Sequence, residues 1–219
     1  MTELFAVQTT LVLDLMKQLG NSSYTEVGCG TAELGAVLQP HAVYSVGVEI
    51  NPIFLSLARS LHPSLELDNV SLIKGNAVYL QRVLSDAMPQ AFWDTHRVVS
   101  MVMNTFGILP AAIQQDVVDE MVKVMGRNGT VVIGCWHRES FEQGVTEFYK
   151  KNPELCGIIT EDMVDYQSKS IFVPSTEYST HWWSASELRG YFYLHLKYVE
   201  IEEIVHGVGV FLIVRPKVL

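Results

Sequence analysis

The chain has 219 residues, 48% hydrophobic and 18% charged, with 15 basic against 24 acidic residues and a formal charge of −9. That length suits one α/β domain and is short for two, and the apolar balance argues against long disordered stretches. No basic stripe is present to neutralise phosphates, so nucleic acid and anionic membrane surfaces are excluded as expected partners on electrostatic grounds.

Residues 1–20 set Leu4, Phe5, Leu11, Val12, Leu15, Met16 and Leu19 at near-helical spacing, interrupted by polar Glu3, Gln8, Asp14 and Lys17. This predicts an amphipathic helix and not a secretory leader. Nothing further along reaches transmembrane length. A short strand over 24–27 runs into Gly28-Cys29-Gly30, and 32–38 is helix-compatible up to Pro40. Residues 43–49 read as an apolar strand closing on a carboxylate, and Asn51-Pro52 opens a helix, since proline is tolerated in a first turn. A third strand over 70–73 leads into Gly75-Asn76-Ala77, followed by a helix over 79–87. Residues 97–103 are nearly continuous apolar sequence, as a central parallel strand covered on both faces requires. Asn104-Thr105-Phe106-Gly107 breaks it, a helix is predicted over 111–125, and a fifth strand over 130–135.

The remainder changes rhythm. Residues 141–150 look helical, 171–178 read as a strand, and 184–193 form a helix opened by Ser184 and Glu187 in a capping-box pattern. Segments 198–204 and 209–214 are expected to pair antiparallel at one sheet edge. The expectation is therefore an α/β fold: a doubly wound, mostly parallel seven-stranded sheet with an antiparallel C-terminal edge strand and right-handed crossovers. It forms one domain, with an N-terminal helix over 1–20, a ligand-binding half over 22–136 and a substrate-side half over 137–219. Cys29, Cys135 and Cys156 have no metal-ligand spacing and cannot all pair within one chain. No metal site is predicted, and reduced thiols suit a cytoplasmic protein. The apolar composition also raises the expectation of a lidded pocket or a homo-oligomer interface.

In an open parallel sheet, ligands bind outside the carboxyl ends of the strands. The tip residues are Glu26, Gly28 and Gly30, then Glu49, then Asn76 and Ala77, then Asn104 and Thr105. Two glycines let the first loop turn tightly against a ligand. A dinucleotide loop would carry a third glycine where Glu33 stands. Carboxylates at Glu26 and Glu33 oppose a diphosphate and favour a ligand bearing an ammonium and a sulfonium. Glu49 ends a strand 23 positions beyond Glu26, close to the ~20-residue offset of an acid that grips ribose hydroxyls. Asn76 has donors and acceptors for an adenine edge.

The run EVGCGTA, then GVEINP, KGNA and MNTFGIL resembles the class I S-adenosylmethionine-dependent methyltransferases over about residues 22–136. The resemblance implies a Rossmann-like methyltransferase fold and S-adenosyl-L-methionine as cofactor, with S-adenosyl-L-homocysteine as product. It implies that Glu26, Gly28 and Gly30 hold the methionine moiety, that Glu49 binds ribose, and that Ile50 packs on adenine. Asn76 and Ala77 would meet the adenine edge, and Asn104 and Thr105 would line the methyl-transfer face. The chain departs from the family at Ala32, where a third glycine is common.

Acceptor-pocket candidates lie after the fifth strand and in the irregular C-terminal segment: Trp136, Arg138, Tyr178 and Trp182 for binding, with His137 and His181 as candidate bases. Aromatic rings beside acids suit an amine through cation–π contact, and Arg138 has the alternative of clamping a carboxylate. The expectation is methyl transfer to a small molecule at an amine nitrogen. Transfer to a hydroxyl or carboxylate oxygen, and a non-catalytic adenosylmethionine-binding module, are the alternatives. A nicotinamide oxidoreductase is disfavoured by Glu33 and by the absence of a basic group near the first loop.

Overall fold

The computed structural model describes residues 2–65 and 68–217. Helix α1 (Thr2–Leu19) precedes β1 (Ser22–Val27), α2 (Glu33–Leu38), β2 (Ser45–Glu49), α3 (Pro52–Leu61) and β3 (Val70–Lys74). Then come α4 (Leu80–Ala87), α5 (Gln90–Trp93), β4 (His96–Met101), α6 (Thr105–Ile108), α7 (Ala111–Met125) and β5 (Gly129–Trp136). The local chemistry sets the boundaries. Asn51 caps α3 by accepting from the Ile53 N–H, and Pro52 occupies the first turn.

The main sheet has the order β3-β2-β1-β4-β5-β10-β9, with β9 at Val199–His206 and β10 at Gly209–Pro216. Strands β1 to β5 pair in parallel, while β10 runs antiparallel to both β5 and β9. The expected antiparallel pairing of the two C-terminal strands at one end of the sheet is present, with β10 inside and β9 outermost. Burial explains that order. The run Val210 to Val214 is buried on both faces, whereas β9 carries Glu200, Glu202 and Glu203, which suit an exposed edge.

Alternate strand residues feed two layers. Tyr24, Val98, Val132 and Ile213 pack under α1 and α2. Val27, Val99, Val131 and Leu212 pack against α4, α7 and α10 (Ala185–Gly190) on the opposite face. Helix α10 begins with the predicted capping box of Ser184 and Glu187.

Three further expectations are revised. The strand predicted over 97–103 ends at Met101, because Met103 and Asn104 adopt φ of 54° and 61°, a left-handed backbone that no strand continues. The strand predicted over 171–178 is a hairpin of β7 (Ser170–Val173) and β8 (Tyr178–His181), broken at Pro174 and at Glu177, whose φ is 54°. With β6 (Val164–Asp165) these strands form a separate three-stranded sheet. The helix predicted over 141–150 begins as α8 (Phe141–Gln143) and widens into a π-helical turn, Gly144–Tyr149, before α9 (Pro153–Cys156). This C-terminal segment has its own aromatic core, built on Trp136, Phe141, Tyr149 and Trp182. Among the described residues, no helix is long and apolar enough to cross a membrane.

Candidate active site

A cavity of about 980 Å³ opens at the carboxyl ends of β1 to β4. It is bounded by the loops after those strands and by Phe5 of α1. Glu26, Gly28, Gly30, Glu49, Ile50, Asn76, Ala77 and Thr105 all line it, so four loops far apart in sequence converge on one volume.

Glu26 is the most distinctive group. The residue is 6% exposed, and among the described residues its sealed Oε2 has no close hydrogen-bond partner. Burial pushes its pKa up to about 8, with the nearby carboxylates of Glu33 and Glu49 adding to the rise and the Gly35 backbone and the Tyr24 hydroxyl opposing it. A buried carboxyl held so loosely is unusual. Here the residue lines a cavity, where a cationic ligand would stabilise its charge.

Glu49 is differently placed. Its Oε1 accepts from the Asn51 N–H at 2.9 Å and its Oε2 from the Gly30 N–H at 3.0 Å. The first bond follows from the chain leaving β2. The second ties the tip of β2 to the loop after β1. Each oxygen keeps a lone pair for a ligand hydroxyl.

The loop itself depends on left-handed backbone. Gly28 has φ +70°, and a Cβ there would stand 2.5 Å from Thr105 Cγ2. Ala32 also adopts a left-handed conformation, with φ 59°. That is the physical reason a glycine is common at this position, and the alanine carries strain of about 1–2 kcal/mol.

Ile50 is exposed at the cavity mouth beside Phe54. Asn76 Oδ1 accepts from the Val78 N–H at 3.1 Å, which directs the amide NH₂ to be its free donor. The Thr105 hydroxyl donates to the Val102 carbonyl at 2.8 Å, leaving its methyl against Gly28.

Asn104 departs from expectation. It is buried, its Nδ2 donates to Thr180 Oγ1 at 2.9 Å, and its Oδ1 accepts from the Trp136 N–H at 3.1 Å. Both ends of the amide are spent joining the loop after β4 to β5 and β8, and Asn104 is not among the cavity-lining residues.

None of the six acceptor-side candidates reaches this cavity. Main-chain bonds zip residues 136–138 against Trp183: the Trp183 N–H donates to the Trp136 carbonyl, and the Arg138 N–H donates to the Trp183 carbonyl, both at 2.8 Å. That pairing turns the side chains into a local core. Trp136 and Trp182 stack with ring centroids 6.5 Å apart. The Tyr178 hydroxyl meets that of Tyr149 at 3.2 Å. Arg138 is held by Glu187 at 2.8 Å and donates to the Gln167 carbonyl at 3.0 Å. The His181 ring packs edge-on against Trp183 at 4.3 Å, and burial lowers its pKa, with Glu187 and Arg138 pulling in opposite directions. The His137 main-chain N–H donates to Val208 at 2.7 Å, part of the same zipped segment.

In their place the cavity is lined by Phe5, Met103, Ile108 and Ile113, and by His62 at the end of α3. Among the described residues His62 Nε2 is buried without a partner. Met103 and Ile108 stand within the MNTFGIL run, but no motif singles out Phe5, His62 or Ile113. Only the predicted amphipathicity of α1 hinted that Phe5 had somewhere to go.

The fold matches solved structures of low sequence identity. No protein-family model and no curated protein matches the chain. The PH0226 protein of Pyrococcus horikoshii OT3 superposes with a TM-score of 0.67 at 17% identity, covering 97% of this chain and 90% of that one. The N-methyltransferase NodS of Bradyrhizobium japonicum WM9, crystallised with S-adenosyl-L-homocysteine, superposes at 0.59 and 12% identity, over 96% and 86% of the two chains. A SAM-dependent methyltransferase of Anabaena variabilis ATCC 29413 superposes at 0.58 and 11% identity, over 89% and 77%. The chain therefore has the Rossmann-like fold seen in class I S-adenosylmethionine-dependent methyltransferases.

Proposed function

We propose that this protein is an S-adenosylmethionine-dependent methyltransferase that acts on a small molecule at an amine nitrogen. The observation that carries the reading is the buried Glu26 carboxyl, held near its neutral form by burial, in the wall of a cavity whose other lip is held by Glu49. Glu26 would accept from the ammonium of the methionine moiety. Glu49 would grip the ribose hydroxyls through its free lone pairs, Ile50 would cover the adenine, and Asn76 and Ala77 would meet its edge. When bound, the cofactor supplies an electrophilic methyl group on a sulfonium. Phe5, Met103 and Ile108 keep water from the cavity, and the chain contributes chiefly alignment.

Charge favours nitrogen over a carboxylate oxygen. Among the described residues the lining carries Glu33 and Glu49 and no lysine or arginine, so an anionic acceptor is repelled. An amine bound as its free base needs no protein base, which agrees with both candidate histidines lying off the cavity.

Calorimetry with S-adenosylhomocysteine and with NAD tests the first half of the reading. Binding of the former alone is expected, and NAD binding alone would overturn it. Radiolabelled methyl transfer to a panel of amines, phenols and carboxylates tests the second, with incorporation expected only among the amines.

A further inference from the structure

The main sheet sets its strand tips in the order β3-β2-β1-β4 along one rim. Granting the methyltransferase reading, on which this inference rests, adenine, ribose and methionine follow Asn76, Glu49 and Glu26 across the first three tips. The tip of β4 is then left for the acceptor. The cavity wall there is built from Met103, Ile108 and Leu109, which follow β4, and from Phe5 of α1, a helix that packs on β1 and β4.

The titratable lining sits elsewhere. Glu26 and Cys29 belong to β1 and the loop after it, Glu33 opens α2, and Glu49 ends β2. His62 follows α3, which packs on β2 and β3. Beside β4, Thr105 is the polar side chain among the described lining residues, and its hydroxyl donates to the Val102 carbonyl at 2.8 Å. The Thr105 oxygen still accepts. That suffices to orient one N–H of a neutral amine and falls short of the three on an alkylammonium.

An ammonium entering this part of the cavity would lose its hydration without gaining an ion partner, which is costly. It would also stand against the donor's sulfonium, a second positive charge. An alkylamine resembles a lysine side chain, with a pKa of ~10.4, so fewer than about one molecule in a thousand is free base at neutral pH. Rapid methylation of such an amine calls for a group that takes its proton. Glu26 is committed to the methionine ammonium in this reading, and burial holds Cys29 as the thiol.

We propose that the acceptor is an apolar amine whose nitrogen is uncharged near neutral pH, an aryl amine being the simplest class. Its nitrogen lone pair forms the new bond to the methyl carbon, and the pair of the broken S–C bond stays on sulfur. The positive charge passes to nitrogen, and one N–H proton then leaves to water, because a protonated aryl amine is acidic enough to shed it unaided. Phe5, Met103, Ile108 and Leu109 select the ring, and no protein base takes part.

Aniline and cyclohexylamine, primary amines of near-equal size, separate the two classes. Each is titrated calorimetrically into the full chain loaded with S-adenosylhomocysteine, then assayed with saturating S-adenosylmethionine. Aniline is expected to bind at least about tenfold more tightly near neutral pH. For cyclohexylamine, kcat/KM should climb about tenfold per pH unit up to the amine's own pKa, the mark of a reacting free base. Ile108 is exposed at the cavity, and Ile108→Glu should shift the binding preference about fivefold towards cyclohexylamine by giving its ammonium a partner. Three results overturn the proposal: no binding of aniline, cyclohexylamine bound as tightly as aniline, or a kcat/KM for cyclohexylamine that levels off well below its pKa. An unchanged preference in Ile108→Glu, with S-adenosylhomocysteine still bound, does so too. Failure of the methyltransferase reading shows earlier and separately, as a chain that takes up no S-adenosylhomocysteine before either amine is added.

Discussion

The Gly30 amide donates to Glu49 Oε2 at 3.0 Å, so the carboxylate at the tip of β2 is also a strut beneath the loop after β1. Binding and loop order are coupled through that one side chain. Glu49→Ala is expected to weaken S-adenosylhomocysteine binding by roughly 1–3 kcal/mol, combining lost ribose contacts with a loosened loop. Glu49→Gln, which keeps an acceptor oxygen, should lose less. An unchanged dissociation constant in the alanine variant would remove Glu49 from the site.

Glu26 predicts a pH dependence with a definite sign. Its folded pKa, about 8, lies above the ordinary carboxyl value, so the folded chain holds a proton that the unfolded chain has released. The stability this contributes is full below about pH 4.5 and is lost as pH rises towards 8. Binding a cation favours the carboxylate. Cofactor binding should therefore release a proton below pH 8, with affinity rising up to about tenfold per pH unit and levelling above it. Calorimetry in buffers of different ionisation enthalpy counts the proton, and Glu26→Gln should abolish both slopes.

Gly28 and Thr105 are in contact across the cavity floor. Gly28→Ala drives a methyl to within 2.5 Å of Thr105 Cγ2 at a residue with φ +70°. A loss of about 1–3 kcal/mol in stability is expected, with weakened cofactor binding. Adding Thr105→Ser removes the clashing methyl and should restore part of the loss, the backbone strain remaining. No recovery in a urea titration of the double variant would show that the contact is not the cause.

His137 and His181 lie off the main cavity. With an amine acceptor in hand, His137→Gln and His181→Gln should each cost far less than the ~100-fold that losing a general base brings. Their pH–rate profiles should overlay that of the parent. A rising limb that disappears in either variant would restore that histidine as a base.

Arg97 is buried at the start of β4, and its guanidinium donates to the carbonyls of Trp93, Thr95, Val124 and Met125. Two of these are terminal carbonyls of α7, which otherwise lack partners. Arg97→Met is expected to cost roughly 3 kcal/mol in chemical denaturation. A change below 1 kcal/mol would mean water replaces the guanidinium freely.

Much of the site was legible before any coordinates. Glu26, Gly28, Gly30, Glu49, Asn76 and Thr105 each lie at or soon after the carboxyl end of a strand, and a parallel sheet brings strand ends together whatever lies between. Asn104 shows the limit of that logic. It is also near a strand tip, yet its amide is consumed by Trp136 and Thr180, partners 32 and 76 positions away.

The acceptor side lay beyond reach of the sequence. Trp136, His137, Arg138, Tyr178, His181 and Trp182 were grouped by residue type, and type alone does not say which way a side chain turns. Hydrogen bonds between residues 136–138 and Trp183 settle that direction, together with an aromatic core assembled from several separate segments. Local periodicity and strand-tip chemistry determined the sheet and the strand-tip lining of the main cavity, because both act over a few residues. Which groups face the rest of the cavity was decided by contacts closed only when distant strands had packed.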